Sequence, residues 1–180
     1  MTSFYTEEEL SGLNLKSYGK MVLISRKCSI YAPEKISIGD NVRVDDFCIL
    51  SGNIALGSNI HISPFCALYG AGGIVMKDYT GLSANVIVYS AMDDFSGKYL
   101  IGPIHPKETT NVTGGVVKIE QFVQVGSGCV IFPNITIREG SVVGAMSLVN
   151  KSLDSWGIYV GVPVKRIKDR SKGLLQFYSE

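Results

Sequence analysis

A hydrophobic repeat with a period of six residues restricts the fold of this chain more than any other feature. Steps of six from Ile38 reach only aliphatic residues as far as Leu68, and the series resumes at Met76 and again at Ile119. Its positions are Ile38, Val44, Leu50, Leu56, Ile62, Leu68, Met76, Leu82, Val88, Ile119, Val125, Ile131, Ile137, Val143 and Val149. A helix repeats about every 3.6 residues and a strand every two, so neither element alone explains a period of six. The pattern predicts short strands that are separated by corners and stacked coil upon coil.

A second series of small or medium residues lies four positions after the first. Its members are Val42, Cys48, Ile54, Ile60, Cys66, Val86, Val123, Cys129, Ile135, Ser141 and Ser147. Three units would close a triangular coil of about 18 residues, and neighbouring coils would pair as parallel strands. We therefore expect both series to point into the prism. On this reading Cys48, Cys66 and Cys129 are buried core residues rather than reactive thiols.

Composition excludes several classes of protein. Hydrophobic residues make up 46% of the 180 residues and charged residues 18%, which argues against disorder. The net charge of +1 provides no general field for nucleic acid or an acidic membrane surface. No stretch approaches the roughly 20 apolar residues of a membrane-spanning helix, and MTSFYTEEEL lacks a secretory signal pattern. The four cysteines lack metal-ligand spacing, so we expect no metal site and a reducing, cytoplasmic location.

Three segments lie outside the repeat. Residues 1–25 include the capping-box pattern Thr6-Glu7-Glu8-Glu9, which predicts a short helix toward Leu15. Residues 164–180 follow Pro163 and carry five basic residues, and we interpret them as a C-terminal helix. The repeat domain, 26–163, is interrupted by an insertion at 89–117. Long insertions in compact domains are usually functional, and this one contains Asp93, Asp94, Lys98, His105, Lys107 and Glu108.

The tandem V-G-x-x-x-x units and the ending VGVPVKRIK resemble the hexapeptide-repeat acyltransferase superfamily, roughly from Ile30 to Lys172. The resemblance implies an all-β fold, a left-handed parallel β-helix of hexapeptide repeats with one long inserted loop and short N- and C-terminal helices. It also implies acyl transfer from acetyl-CoA or another acyl-CoA. A homotrimer with active sites between subunits follows from the same resemblance.

The acceptor determines which base the reaction needs. A hydroxyl acceptor usually requires a histidine, whose ordinary pKa is about 6.5. An amine that resembles an α-amino group has a pKa of about 8, so on the order of a tenth is neutral at pH 7 and a carboxylate can suffice. The stretch around His105, Gly102 to Glu108, is similar to the catalytic-histidine loop of galactoside and maltose O-acetyltransferases, without that family's flanking histidines.

The segment Asp93-Asp94-Phe95-Ser96-Gly97 resembles a second branch, the N-acyltransferases of nucleotide-linked 4-amino-4,6-dideoxy sugars. Some members of this branch dispense with a histidine base. The candidate catalytic residues are therefore Asp94, Asp93, His105 and Ser83, and the candidate substrate-binding residues are Asn85, Glu108, Tyr89 and Lys98. Simpler readings stay open: the aspartates could form a solvated turn, His105 could be an ordinary loop residue, and His61 lies at an outward-facing repeat position.

The coenzyme would need an extended groove for its pantetheine arm and basic residues for its phosphates. The positions that match coenzyme-contacting residues of the superfamily are Ser127, Gly126, Ala145, Gly144, Lys151, Lys165 and Lys168. Where the family's common tail has a threonine-lysine pair, this chain has Asn150-Lys151, so the hydroxyl is lost. Gly126 and Gly144 could equally be required by the geometry of the repeat.

Three functions follow as hypotheses. We favour transfer of an acyl group to the amino group of a nucleotide-linked amino-deoxy sugar, with a place in O-antigen synthesis. The alternative is O-acetylation of a saccharide hydroxyl. The third is a non-catalytic β-helix or a metal protein of the γ-carbonic anhydrase kind, whose zinc needs three histidines where this chain has two.

Overall fold

The computed structural model describes residues 3–178 and consists mainly of short strands. They are β1 (Ser17–Tyr18), β2 (Leu23–Ile24), β3 (Ser29–Tyr31), β4 (Ile36–Ile38), β5 (Val42–Val44), β6 (Ile49–Leu56), β7 (Ile60–Ile62), β8 (Ala67–Met76), β9 (Gly81–Leu82), β10 (Ile87–Tyr89), β11 (Ala91–Asp93), β12 (Val112–Gly114), β13 (Val117–Ile119), β14 (Gln124–Val125), β15 (Val130–Ile131), β16 (Thr136–Ile137), β17 (Val142–Val143), β18 (Leu148–Val149), β19 (Gly157–Val160) and β20 (Lys165–Asp169). One α-helix, α1, covers Glu7–Ser11, and 3₁₀ helices cover Pro33–Lys35, Lys107–Thr109 and Gly173–Phe177.

The strands stack into three faces of a prism. Face 1 contains β1, β4, the second parts of β6 and β8, then β13 and β16. Face 2 contains β2, β5, β7, β9, β14, β17 and β19, all parallel. Face 3 contains β3, the first parts of β6 and β8, then β10, β15 and β18. The predicted left-handed parallel β-helix is confirmed. We name its edges by the faces that meet there: edge 1–2, edge 2–3 and edge 3–1.

The interior of the prism confirms the period of six. All positions of both predicted inward series are at most 4% exposed, and all of them except the buried polar residues Ser141 and Ser147 belong to one hydrophobic cluster. Cys48, Cys66 and Cys129 are completely buried, as expected for core residues. Burial of each large aliphatic side chain stabilises the fold by roughly 1.5–3 kcal/mol. This repeated burial fixes which residues of neighbouring coils lie beside one another.

The coils turn at residues in the left-handed backbone region. Asn41, Asn59 and Asn85 have φ values of 54°, 58° and 61°, which asparagine tolerates better than most residues. Bulkier residues adopt the same conformation at other corners, among them Phe47, Phe65, Tyr79, Phe122 and Trp156. Several of these rings stack on the ring of the next coil, as Phe47 and Phe65 do at 5.1 Å. The corner side chains therefore form columns along the edges.

The insertion is a hairpin-like arm that leaves the prism at edge 3–1. Its two strands, β11 and β12, pair antiparallel with Asp93 opposite Val112. A second closure follows, where the Leu100 N–H donates to the Thr109 carbonyl at 2.8 Å. At its base the buried Ser90 hydroxyl donates to the Tyr69 carbonyl and accepts from the Gly72 N–H. The arm is thus firmly attached to the prism while its distal part is open to solvent.

The N- and C-terminal segments of the chain differ in how well their structure agrees with the prediction from the sequence. The capping box at Thr6 is present, with the Thr6 hydroxyl accepting from Glu9 N–H and the Glu9 carboxylate accepting from Thr6 N–H. Parallel pairing already begins at Ser17, inside the segment predicted as helical. Lys165–Asp169, predicted as helix, is a strand, β20, that pairs antiparallel with β19. No helix within residues 3–178 is long and apolar enough to cross a membrane.

The packing of the core predicts that replacing an inward leucine by alanine destabilises the fold much more than replacing an outward one. Leu68→Ala removes a completely buried side chain and is expected to lower the free energy of unfolding by about 2–5 kcal/mol. Leu23→Ala, whose parent side chain is 41% exposed, is the matched control and should cost well under half of that. Urea unfolding followed by circular dichroism measures both, and equal losses for the two variants would contradict the packing described.

Candidate active site

Edge 2–3 carries six of the predicted site residues in one column. Consecutive coils contribute Ser83 and Asn85, then Gly126 and Ser127, then Gly144 and Ala145. The coils are joined across this edge by backbone bonds from Ser83 N–H to the Val125 carbonyl and from Gly126 N–H to the Val143 carbonyl. Parallel strands lie about 4.8 Å apart, so the column is a continuous strip along the prism.

Glycine at position 126 is required by a close approach of two coils. A Cβ there would lie 2.6 Å from the Ala145 nitrogen, which is closer than any real contact. The repeat-geometry reading of Gly126 is therefore correct. The missing side chain also leaves the Ala145 N–H uncovered, and within residues 3–178 that group has no hydrogen-bond partner. The same position thus serves the fold and leaves a donor for a ligand.

The basic residues predicted for the coenzyme phosphates are not all on this strip. Lys165 lies opposite Val160 in β20 and so stands at the C-terminal end of edge 2–3. Lys168 lies opposite Ile158, further across face 2. Lys151 follows β18 and lies on edge 3–1. A single chain therefore brings Lys165 to the strip but leaves Lys151 on another edge.

A cleft of about 420 Å³ lies on face 2 beside Ser83. Its floor is Gly81, which sits in register between His61 of the preceding coil and Gln124 of the following one. Because Gly81 has no side chain, the column of outward residues is interrupted at this point. Toward edge 2–3 the cleft is lined by Ser63 and Leu82, and Ser83 follows Leu82 directly in the chain.

Three charged or titratable side chains form a cluster beside this cleft. The Asp45 carboxylate accepts from Arg43 Nε through one oxygen and bonds to His61 Nε2 through the other, both at 2.7 Å. Burial alone would raise the pKa of Asp45, but the bonds from His61 and Arg43 outweigh it and the pKa is lowered. The sequence analysis missed this cluster. Arg43 and His61 pair in register eighteen residues apart, so the coil length was the available signal.

Asp93 and Asp94 point to opposite sides of the insertion, because successive residues of a strand alternate. The Asp94 carboxylate accepts from Ser96 N–H at 2.6 Å and from Asn111 Nδ2 at 2.9 Å. Hydrogen bonds from Ser96 and then Asn111 lower the pKa of Asp94. Within residues 3–178 the Asp93 carboxylate accepts one hydrogen bond, from Gly102 N–H at 3.3 Å. Asp94 thus stabilises the turn of the arm, whereas Asp93 has capacity for further hydrogen bonds.

The other predicted residues of the insertion are spread along it. Tyr89 stacks on Tyr69 at 5.3 Å at the base of the arm. Lys98 is exposed, and so is Glu108 in the 3₁₀ helix Lys107–Thr109. His105 is half-buried in the preceding turn and makes no hydrogen bond or ion pair within residues 3–178. Its role as a base stays a prediction.

The candidate site is divided between two edges of one chain. Ser83 and the coenzyme strip lie on edge 2–3, whereas the arm with Asp93 leaves from edge 3–1. The whole width of face 3 separates the two origins, and within residues 3–178 the hydrogen bonds of both aspartates stay within the arm.

Metal chemistry has no obvious site in the described part of the chain. Residues 3–178 contain no cluster of three or more histidine, cysteine, aspartate or glutamate side chains that could hold a metal ion. The four cysteines are free thiols, and burial raises the pKa of Cys129. The Cys66 Sγ donates to the Ser83 carbonyl at 3.1 Å, so it supports the edge from inside the prism.

Comparison with known proteins finds close relatives along nearly the whole chain. The chain is 38% identical to the dTDP-4-amino-4,6-dideoxy-D-glucose acyltransferase of Escherichia coli, over 98% of this chain and 94% of that protein. It is 52% identical to AntD, an N-acyltransferase from Bacillus cereus solved in complex with dTDP and 3-hydroxybutyryl-CoA, with a TM-score of 0.96 over 98% of this chain and 95% of that one. No protein-family model matches the chain.

A more distant structure shares the fold. The maltose O-acetyltransferase of Clostridium difficile 630 has a TM-score of 0.57 and 24% identity, over 92% of this chain and 75% of that one. At this level of identity the likeness extends to the β-helix alone. The O-acetyltransferase alternative therefore has support only in the fold.

Proposed function

Because the chain belongs to the hexapeptide-repeat acyltransferases of nucleotide-linked 4-amino-4,6-dideoxy sugars, we propose that its acceptor is dTDP-4-amino-4,6-dideoxyglucose. The chain is a CoA-dependent transferase that moves an acyl group from an acyl-CoA to the amino group of such a sugar. The observation that carries the choice of sugar is the near full-length similarity to the Escherichia coli enzyme named for it. A structure of AntD also contains this nucleotide sugar together with coenzyme A.

The reaction forms an amide and breaks a thioester. The sugar amine attacks the thioester carbonyl, the carbon–sulfur bond breaks, and the proton lost by the amine ends on the coenzyme thiolate. We assign the strip on edge 2–3 to the pantetheine arm, with the unpartnered Ala145 N–H as a donor and Lys165 toward the phosphates. The Ser83 hydroxyl also has no partner within residues 3–178 and is placed to donate to the developing oxyanion.

We assign Asp93, rather than Asp94, to the amine. Only one of the two can face a given ligand, and Asp94 already accepts two hydrogen bonds inside the arm. AntD has been solved with substitutions of a serine and of an aspartate ten residues further along its chain, and Ser83 and Asp93 have the same spacing here. A carboxylate suits an amine acceptor because it can orient the amine and accept its proton. An alcohol would need a stronger base to remove its proton.

A trimer would complete the site. The candidate site of a single chain is divided between edges 2–3 and 3–1, and a cyclic arrangement would bring the arm of each subunit beside the strip of the next. The acyl group would be acetyl or a short acyl such as the 3-hydroxybutyryl group that AntD binds. A place in O-antigen synthesis and a cytoplasmic location stay predictions.

The acceptor assignment predicts a clear preference in a thiol-release assay. With acetyl-CoA or 3-hydroxybutyryl-CoA, dTDP-4-amino-4,6-dideoxyglucose should release free CoA, and mass spectrometry should find one acyl group on the sugar nitrogen. The 4-hydroxy counterpart dTDP-6-deoxyglucose is the matched control and should release none above background. Equal turnover of maltose or a galactoside would instead support the O-acetyltransferase alternative.

Replacing Asp93 by asparagine should lower kcat much more than replacing Asp94. Asp93→Asn keeps the shape of the side chain but removes the proton acceptor, so kcat should fall by about 10²-fold or more. Asp94→Asn retains an oxygen toward Ser96 and should lose less than about tenfold. Steady-state kinetics with saturating acyl-CoA compares them, with His105→Ala alongside. Full activity of Asp93→Asn together with loss of activity in His105→Ala would overturn the assignment.

A shared site predicts complementation between two inactive variants. Ser83→Tyr fills the strip with a ring, and Asp93→Asn removes the carboxylate of the arm. If the site combines Ser83 of one subunit with Asp93 of the next, every mixed trimer has one intact site, and random mixing should restore about a quarter of wild-type activity. Co-expression with two different tags provides the mixture, and each variant expressed alone is the control. No recovery in isolated mixed oligomers would place both residues in one chain's site.

A further inference from the structure

We propose that the buried thiol of Cys129 is a positioning residue for coenzyme binding, because it holds the Ala145 N–H outward on the strip of edge 2–3. The inference rests on the proposed function, which assigns this N–H to the pantetheine arm. The Cys129 side chain is completely buried inside the prism. It would therefore act on the coenzyme only through the backbone of the neighbouring coil.

Four thiols lie along the inner side of edge 2–3 and make the same contact. Each belongs to the residue directly before a strand of face 3, and each donates to the residue directly after a strand of face 2 in the next coil. The bonds, at 3.1–3.2 Å, run from the Sγ atoms of Cys28, Cys48, Cys66 and Cys129 to the carbonyls of Asp45, Ser63, Ser83 and Gly144, respectively. The contact is therefore a repeated feature of the coil.

The planarity of the peptide unit relates this inward contact to the outer surface. In a trans peptide the C=O and the following N–H point in opposite directions. The Gly144 carbonyl accepts from the Cys129 Sγ inside the prism at 3.1 Å, and the N–H of the same peptide unit belongs to Ala145. This N–H therefore points away from the core, where the Ala145 residue is exposed.

The Cys129 thiol is the group that holds the Gly144 carbonyl in this direction. In the described part of the chain no backbone N–H and no other side chain donates to that carbonyl. Burial raises the pKa of Cys129, so the sulfur stays protonated and can donate at neutral pH. Without the thiol the carbonyl would lose its partner, and the peptide would no longer be held with its N–H toward the strip.

An earlier corner of the same edge provides a matched control. The Cys48 thiol donates to the Ser63 carbonyl at 3.2 Å, but the next residue is Pro64, which has no N–H. The Cys48 contact therefore supports the coil without presenting a donor on the outer surface. A comparison of Cys48 with Cys129 separates support of the fold from orientation of the N–H.

The inward column that contains Cys129 shows which replacements fit there. Val86 lies beside Cys129 in the preceding coil and Ser147 in the following one, because Ile87 N–H donates to the Cys129 carbonyl and Val130 N–H to the Ser147 carbonyl. Both neighbours are at most 3% exposed. Valine at position 129 thus keeps a buried side chain but removes the donor, whereas serine keeps a donor.

Titration calorimetry with coenzyme A tests the role of the thiol. Cys129→Val should raise the Kd of CoA by about fivefold, the effect of one hydrogen bond, and Cys129→Ser should stay within about twofold of the parent protein. In the valine variant the KM for acyl-CoA should rise while kcat stays unchanged, because Ser83 and Asp93 are not altered. Cys48→Val is the control and should leave the Kd of CoA unchanged.

A double variant shows whether the thiol acts through the Ala145 N–H. Ala145→Pro removes that N–H, with Pro64 as the precedent at the same position of an earlier corner, and should also raise the Kd of CoA. Adding Cys129→Val to Ala145→Pro should cause no further loss, since both changes remove the same contact. Additive losses would contradict the proposed route through the backbone.

The outcomes distinguish this inference from the proposed function. Unchanged CoA affinity in Cys129→Val would overturn the positioning role and leave the acyltransferase assignment intact. Full CoA affinity in Ala145→Pro would instead overturn the assignment of the strip to the pantetheine arm. Circular dichroism melting curves identify any variant that has lost its fold, and if the proline variant has, the comparison of Cys129→Val with Cys129→Ser decides.

Discussion

Burial of one aliphatic side chain at every sixth residue is the constraint from which the remaining structure follows. The inward residues lock the register of each coil against the next, and the backbone bonds between coils then place residues of successive coils in straight columns. Arg43, His61 and Gly81 form such a column on face 2, and the strip on edge 2–3 is another. A slip of one residue would turn the inward side chains outward. The geometry of the site is therefore as rigid as the core beneath it.

The columns also explain how the prism tolerates unusual corner residues. Left-handed backbone costs roughly 1–2 kcal/mol for a bulky residue, yet Tyr79, Phe122 and Trp156 all adopt it on edge 1–2. Their rings lie 5.6 and 6.3 Å apart along the edge, and aromatic pairs contribute about 0.5–1.5 kcal/mol beyond burial. The same ring column anchors the C-terminal segment. A corner conformation that is costly in isolation thus contributes to the packing along edge 1–2.

The period of six was sufficient to predict the coils, the inward residues and the position of the insertion. The C-terminal strand could not be predicted from the local sequence because it depends on a tertiary contact. The last parallel strand leaves an open edge, and the charged segment Lys165–Asp169 covers it. The Asp45 cluster was not predicted because the proximity of Arg43 and His61 depends on the length of a coil rather than on the local sequence. The different hydrogen bonding of Asp93 and Asp94 could not be predicted either, because it depends on the strand alternation within the insertion.

The division of the site between two edges bears directly on the chemistry of the acceptor. A hydroxyl acceptor requires a base held in place by a third group, and His105 has no such partner within residues 3–178 and follows Ile104, which is 85% exposed. An amine needs only a carboxylate that meets it at the correct place. Asp93 is fixed by the ladder of the arm and by Gly102, while most of its lone pairs are open. A carboxylate on a solvent-exposed arm would act on an amine only where a second surface excludes the water around it, so the proposed role of Asp93 and the proposed trimer depend on each other.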